Sequence, residues 1–178
     1  MKKIITIIDQ INEMVGKAVS WLTLLLVFVV CFEVARRSLF HTTSIWSMEL
    51  QWHIFSLIFL LGAGYAFKHD RHVRVDLFYT NFSRRDQAWV NFFGSILLLI
   101  PWLLIIIYFS FYYALDAWHL NEGSPDPGGL PARYLIKFAV PVGLSLLLLQ
   151  AISVTLSSLV TLKETAEETS LKSDLDKP

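Results

Sequence analysis

The sequence predicts an all-α integral membrane protein. It has four transmembrane helices, an N-terminal amphipathic helix in the membrane interface, and both termini in the cytoplasm. Three observations predict this. The 178 residues are 54% hydrophobic and contain four runs without a charged side chain, residues 18–32, 54–67, 89–115 and 138–161. A helix crossing the hydrocarbon core needs about 20 mostly apolar residues, and the absence of water there forces backbone groups to bond within the segment. With four spans, eleven of the fifteen Lys and Arg residues fall on the side that holds both termini and the second link. An excess of basic residues marks the cytoplasmic face.

The first seventeen residues place Ile4, Ile7, Ile8, Ile11, Met14 and Val15 at helical spacing, with Asp9, Gln10, Asn12 and Glu13 between them. That pattern predicts an interfacial amphipathic helix over 1–17. The alternative is a plain extension of the first span into the cytoplasm. The first span covers about 18–37. It ends at Glu33 and Arg36 without a small-residue cleavage pattern, which argues against a removable leader. Cys31, the one cysteine, is expected to pack within this span.

A short link, 38–45, makes the second span (about 46–67) an antiparallel neighbour of the first. The second link, 68–83, is basic, and its alternating HVRVDLFY stretch suits the interface. Ser83 and Asp86 resemble a capping box with Asp in place of Glu. The third helix therefore starts before its span (about 88–115), and Pro101 inside it predicts a kink. The third link, 116–132, carries three prolines and three glycines, which exclude a regular helix. The fourth span, about 138–160, contains Pro141 near its start. It closes a four-helix membrane domain over 18–162. The polar tail, 163–178, should continue the last helix briefly and then fray.

Charges near a bilayer are costly unless paired. Glu33, Arg36 and Arg37 end the first span, and Glu49 opens the second. Glu33 reaches Arg36 or Arg37 at i+3 or i+4, and Arg37 reaches Glu49 across the short link. These four residues are candidate structural ion pairs. The competing reading is a substrate or ion site, but transport sites sit at the midplane and not at helix ends. Gly62, Ala63 and Ala66 form a candidate helix-packing face, because small residues admit close approach. Lys68, Arg71, His72 and Arg74 form a candidate headgroup-facing cluster. Five histidines raise the question of haem or metal. Only His53 approaches a span, and no HxxxH or HExxH pair occurs. No cofactor, metal site, catalytic pair or nucleic-acid surface is expected.

Several of these pieces together resemble the small membrane subunit of tripartite ATP-independent periplasmic (TRAP) transporters, the DctQ-like family. They are Arg37, Phe40, Trp46-Ser47-x-Glu49, Leu61-Gly62-Ala63, His72-x-Arg74-Val75-Asp76, Glu122-Gly123-Ser124, Pro141-x-Gly143 and Leu148-Leu149-Gln150. Ser38 departs from the tyrosine usual after the family's arginine. The resemblance implies a chain that is not an enzyme, placed in the bacterial inner membrane. It implies a large permease subunit as partner, a periplasmic substrate-binding protein that delivers an organic acid, and sodium coupling in the large subunit. The small subunit's role would be to scaffold the large one and help dock the binding protein. Two other classes stay open from the residues. One is a self-contained small transporter or channel using Glu33, Glu49 and His53. The other is a haem-binding membrane anchor of a redox enzyme.

Overall fold

The computed structural model describes residues 1–69 and 82–175. Among these residues the regular structure is helical. The elements are α1 (Lys2–Phe40), α2 (Ile45–Lys68), α3 (Arg84–Phe93), a π-helical stretch (Gly94–Leu99), α4 (Ile100–His119) and α5 (Tyr134–Leu175). Four helices are long and apolar enough to cross a bilayer: α1, α2, the continuous unit from α3 through α4, and α5. The protein is a multi-pass membrane protein. The basic residues Arg71, His72 and Arg74, and the His72–Asp76 part of the resemblance, lie outside the described residues.

α1 runs without interruption for 39 residues. The separate interfacial helix expected over 1–17 is therefore not a separate element. No glycine pair or proline breaks the chain near Lys17, and the helical period simply continues. The two faces of this segment differ in exposure. Ile4, Ile7, Ile11 and Met14 are exposed, whereas Asn12 is 1% exposed and Ile8 is 7% exposed. The polar stripe faces the bundle and most of the apolar stripe faces outward. α1 ends where His41 adopts φ 51° and its N–H bonds the Arg37 carbonyl at 3.1 Å. A left-handed residue with this bond is a common helix terminator.

Ser83 caps α3 as the sequence suggested: its Oγ accepts from the Asp86 N–H at 3.2 Å. Pro101 falls in the first turn of α4, directly after the π stretch. Proline has no N–H and crowds the carbonyl four residues back. The expected disturbance is taken up by the wider π register upstream. Pro141 lies within α5, where the Ser145 hydroxyl donates to the Pro141 carbonyl at 2.6 Å. α5 continues helical to Leu175, further into the polar tail than the brief extension expected past the span.

α5 is the hub. It packs against α1, α2, α3, the π stretch and α4, while α1 packs on α2. Its most apolar window is 33% buried, against 11% in each of the other three spans. The buried apolar side chains are mostly small, including Ala114, Ala117, Ala139 and Ala151. Large ones such as Trp21, Phe28, Phe59, Trp102 and Phe109 point outward. That is the pattern of a bundle in lipid, where helices gain from close backbone approach and not from hiding apolar surface. Cys31 is exposed on α1 and is not packed inside. Gly143 marks one close approach, since a Cβ there would lie 2.5 Å from the Leu60 carbonyl oxygen of α2.

Candidate functional site

Polar residues gather at the two ends of the bundle. At the end formed by the first and third links, Glu49 is 6% exposed. Its carboxylate accepts from the Ser124 hydroxyl and from the Leu130 N–H at 2.5 Å. The loop that Glu49 clasps is closed on itself. Ser124 N–H bonds the Leu130 carbonyl at 3.1 Å, and Gly129 N–H bonds the Asp126 carbonyl at 3.0 Å. The glycines serve this turn. Gly128 takes φ 82°, and a Cβ on Gly129 would lie 2.8 Å from Glu49 Oε2. A carboxylate that accepts both a hydroxyl and a backbone N–H fixes a loop that has no helix or strand of its own.

Beside it, Glu33 lies 3.4 Å from Arg36 Nε and accepts from the Ser44 N–H at 3.4 Å. One side chain thus ties the end of α1 to the start of α2. The Lys137 ammonium lies 2.5 Å from Glu122 and 4.1 Å from the Tyr113 ring centroid, which joins the loop, α4 and α5. Arg133 stands 5.6 Å from the ring centroid of Trp52. The expected Arg37–Glu49 pair is not made. Glu49 spends its oxygens on the loop, and Arg37 is exposed. His53 bonds the Glu49 carbonyl oxygen at 2.6 Å through Nδ1.

At the opposite end a second network joins α1 to α2 and α5. Asn12 Nδ2 donates to Gln150 Oε1 at 2.9 Å. Gln150 Nε2 and Ser153 Oγ both donate to Asp9 Oδ1, at 3.0 and 2.8 Å. Lys68 Nζ lies 2.8 Å from Glu13 and donates to the Asp9 carbonyl at 3.1 Å. His69 Nε2 lies 2.9 Å from Glu13, and Lys17 lies 3.2 Å from it. Lys68, expected among headgroup-facing residues, is therefore turned partly inward. Of the expected packing face, Gly62, Ala63 and Ala66 are half-buried, and a Cβ on Gly62 would meet only Val19, at 4.0 Å. The tight position is Gly64. Its added Cβ would lie 3.0 Å from Asn12 Cγ, closer still to Asn12 Oδ1, and 3.1 Å from the Leu146 carbonyl.

Sequence reasoning did not single out Asp9, Asn12, Gln150 and Ser153 as one network. A signal was available in the polar stripe between the isoleucines and in Gln150 within a leucine-rich span. Among the described residues, no three His, Cys, Asp or Glu side chains gather where they could hold a metal ion.

The clasp also connects two pieces of the resemblance that lie far apart in the chain, Trp46-Ser47-x-Glu49 and Glu122-Gly123-Ser124. Comparison with known families agrees with it. Residues 26–161 match the family described as Tripartite ATP-independent periplasmic transporters, DctQ component. A search of curated proteins returned no match. The family match covers most of the chain and all four spans at least in part. The chain belongs to the DctQ family, the small membrane component of TRAP transporters.

Proposed function

We propose that this chain is a static scaffold in the inner membrane, with both termini in the cytoplasm. It holds a large permease subunit and presents a docking surface to a periplasmic substrate-binding protein. The transported species is an organic acid, and coupling to sodium takes place in the large subunit. The family match supports the class of complex. The observation that carries the scaffold role is the use made of the buried and half-buried carboxylates. Glu33, Glu49, Glu122 and Glu13 each bond residues of this same chain and tie helix to helix or helix to loop. Carboxylates committed to fixed partners suit a support better than an ion path.

The docking role is supported by the clasped loop, which is held in one shape before any partner arrives. Preorganisation lowers the cost of binding. Of the four basic residues expected on that face, Arg36 and Lys137 are committed to carboxylates and Arg133 to a ring, while Arg37 is exposed. Arg37 is the residue to test. In proteoliposomes containing this chain and the large permease, Arg37→Glu should lower sodium-driven uptake at limiting binding protein. Excess binding protein should partly restore it, by mass action. A defect unmoved by excess binding protein would assign Arg37 to assembly. Uptake by this chain alone would replace the scaffold reading with that of a self-contained transporter.

A further inference from the structure

A cavity of about 370 Å³ opens between the end of α2, the start of α3 and the last turns of the α5 span. Its position follows from the sequence. The uncharged runs 54–67, 89–115 and 138–161 all begin or end at its walls, which include Phe67, Ala88 and Thr161. The cavity therefore sits where hydrocarbon gives way to lipid headgroups.

Its walls are unusual for a helix seam. α3 turns residues 84, 87, 88 and 91 toward it, and α5 turns residues 154, 157, 158 and 161 toward it. Both sets have the i, i+3, i+4, i+7 spacing of a packing stripe. A stripe that closes a helix pair is normally apolar or small. Here it carries Arg84, Gln87 and Asn91 against Ser158 and Thr161, with Lys68 contributed by α2. A polar space of this size holds water or a ligand and does not stay empty.

The donors and acceptors indicate which ligand. Lys68 has three N–H donors, and two are used, on Glu13 and on the Asp9 carbonyl. Among the described residues the third has no partner and is available to the cavity, and Arg84 supplies a second cation at its exposed rim. Among the described residues, the acidic neighbours Glu13 and Asp86 are engaged, Glu13 with Lys17, Lys68 and His69, and Asp86 with Ser83. On the opposite wall the protons of Ser158 and Thr161 go to the Val154 and Ser157 carbonyls, at 2.9 and 3.2 Å. Their oxygens are left as acceptors. Cations on one wall suit a phosphate, and hydroxyl acceptors on the other suit a group that carries O–H donors.

We propose that this cavity binds the headgroup of an anionic phospholipid bearing hydroxyls, with the phosphate on Lys68 and Arg84 and the hydroxyls on Ser158 and Thr161. The site is separate from the docking surface and does not depend on the transport reading.

The full chain would be purified in detergent and its thermal unfolding followed with added phosphatidylglycerol, phosphatidylcholine or glycerol 3-phosphate. Phosphatidylglycerol should raise the midpoint, and phosphatidylcholine should not. Arg84→Gln should weaken the half-saturating lipid concentration about five- to tenfold, in line with one basic contact at a membrane surface. Ser157→Leu, at an exposed cavity-lining position, should block the effect by filling the space. Each variant's midpoint without lipid reports its folding, and Ser157→Leu carries the test if Arg84→Gln folds poorly. Equal stabilisation of wild type and both variants would place the lipid elsewhere and overturn the proposal. Stabilisation by glycerol 3-phosphate to the same extent would make this a site for a soluble phosphate. No effect of phosphatidylglycerol would remove the site.

Discussion

Gly64→Ala and Gly62→Ala sit two residues apart on α2 and should behave oppositely. At Gly64 the new methyl enters a space already held by Asn12 and the Leu146 carbonyl of α5. Asn12 cannot swing away freely, because it is 1% exposed and bonds Gln150 at 2.9 Å. Overpacking of this kind costs about 1–3 kcal/mol, and the helix propensity gained from alanine returns up to about 1 kcal/mol. The net loss should be about 0–2 kcal/mol. At Gly62 the nearest atom is 4.0 Å away, so only the propensity gain remains. The two variants should differ by about 1–3 kcal/mol. Unfolding of the purified chain in mixed micelles, followed by circular dichroism against denaturing detergent, measures that difference. Asn12→Ala removes the obstructing oxygen, so Gly64→Ala should cost less in that background. A difference between the two glycines below about 0.5 kcal/mol, or strict additivity with Asn12→Ala, would refute the close-approach argument.

Three further outcomes follow from the same geometry. Glu49→Gln removes the charge that accepts from Ser124 and Leu130, which should cost about 1.5–3 kcal/mol; hydrogen exchange at the Leu130 amide should quicken, and unchanged protection would dissolve the clasp. A double-mutant cycle of Glu33→Gln with Arg36→Gln should show coupling in the unfolding assay, whereas Glu49→Gln with Arg37→Gln should be additive within about 0.5 kcal/mol. Ser83→Ala should lower stability by about 1 kcal/mol through loss of the α3 cap, a change that Ser83→Asp should largely avoid.

Features set by local sequence were the readable ones. The four spans follow from run length, the α3 start from Ser83 and Asp86, and the Glu33–Arg36 contact from three-residue spacing. Features set by long-range pairing were not readable. Asp9 meets Gln150 and Ser153 across 141 and 144 residues, and Glu49 meets Ser124 across 75. Helical periodicity gives the spacing of a stripe but not the direction it faces. In water the isoleucines of the first seventeen residues would turn inward, and in lipid the polar residues do. The Arg37–Glu49 expectation failed for a related reason. Nearness across a short link does not reveal that a distant loop has already filled the carboxylate. The π stretch before Pro101 had no signal beyond the proline itself.

The hub position of α5 has a consequence for biosynthesis. Chains emerge N-terminus first, so α1 and α2 enter the membrane long before Gln150 and Ser153 exist. During that interval Asp9 and Asn12 lack their later partners on α5, and unmatched polar groups in or near lipid are costly. A nascent chain halted in the third link would hold its first hairpin in an unfinished state. Completion of the last helix is thus the event that locks the first one, and truncated products carry an exposed mark of their incompleteness in their own opening turns.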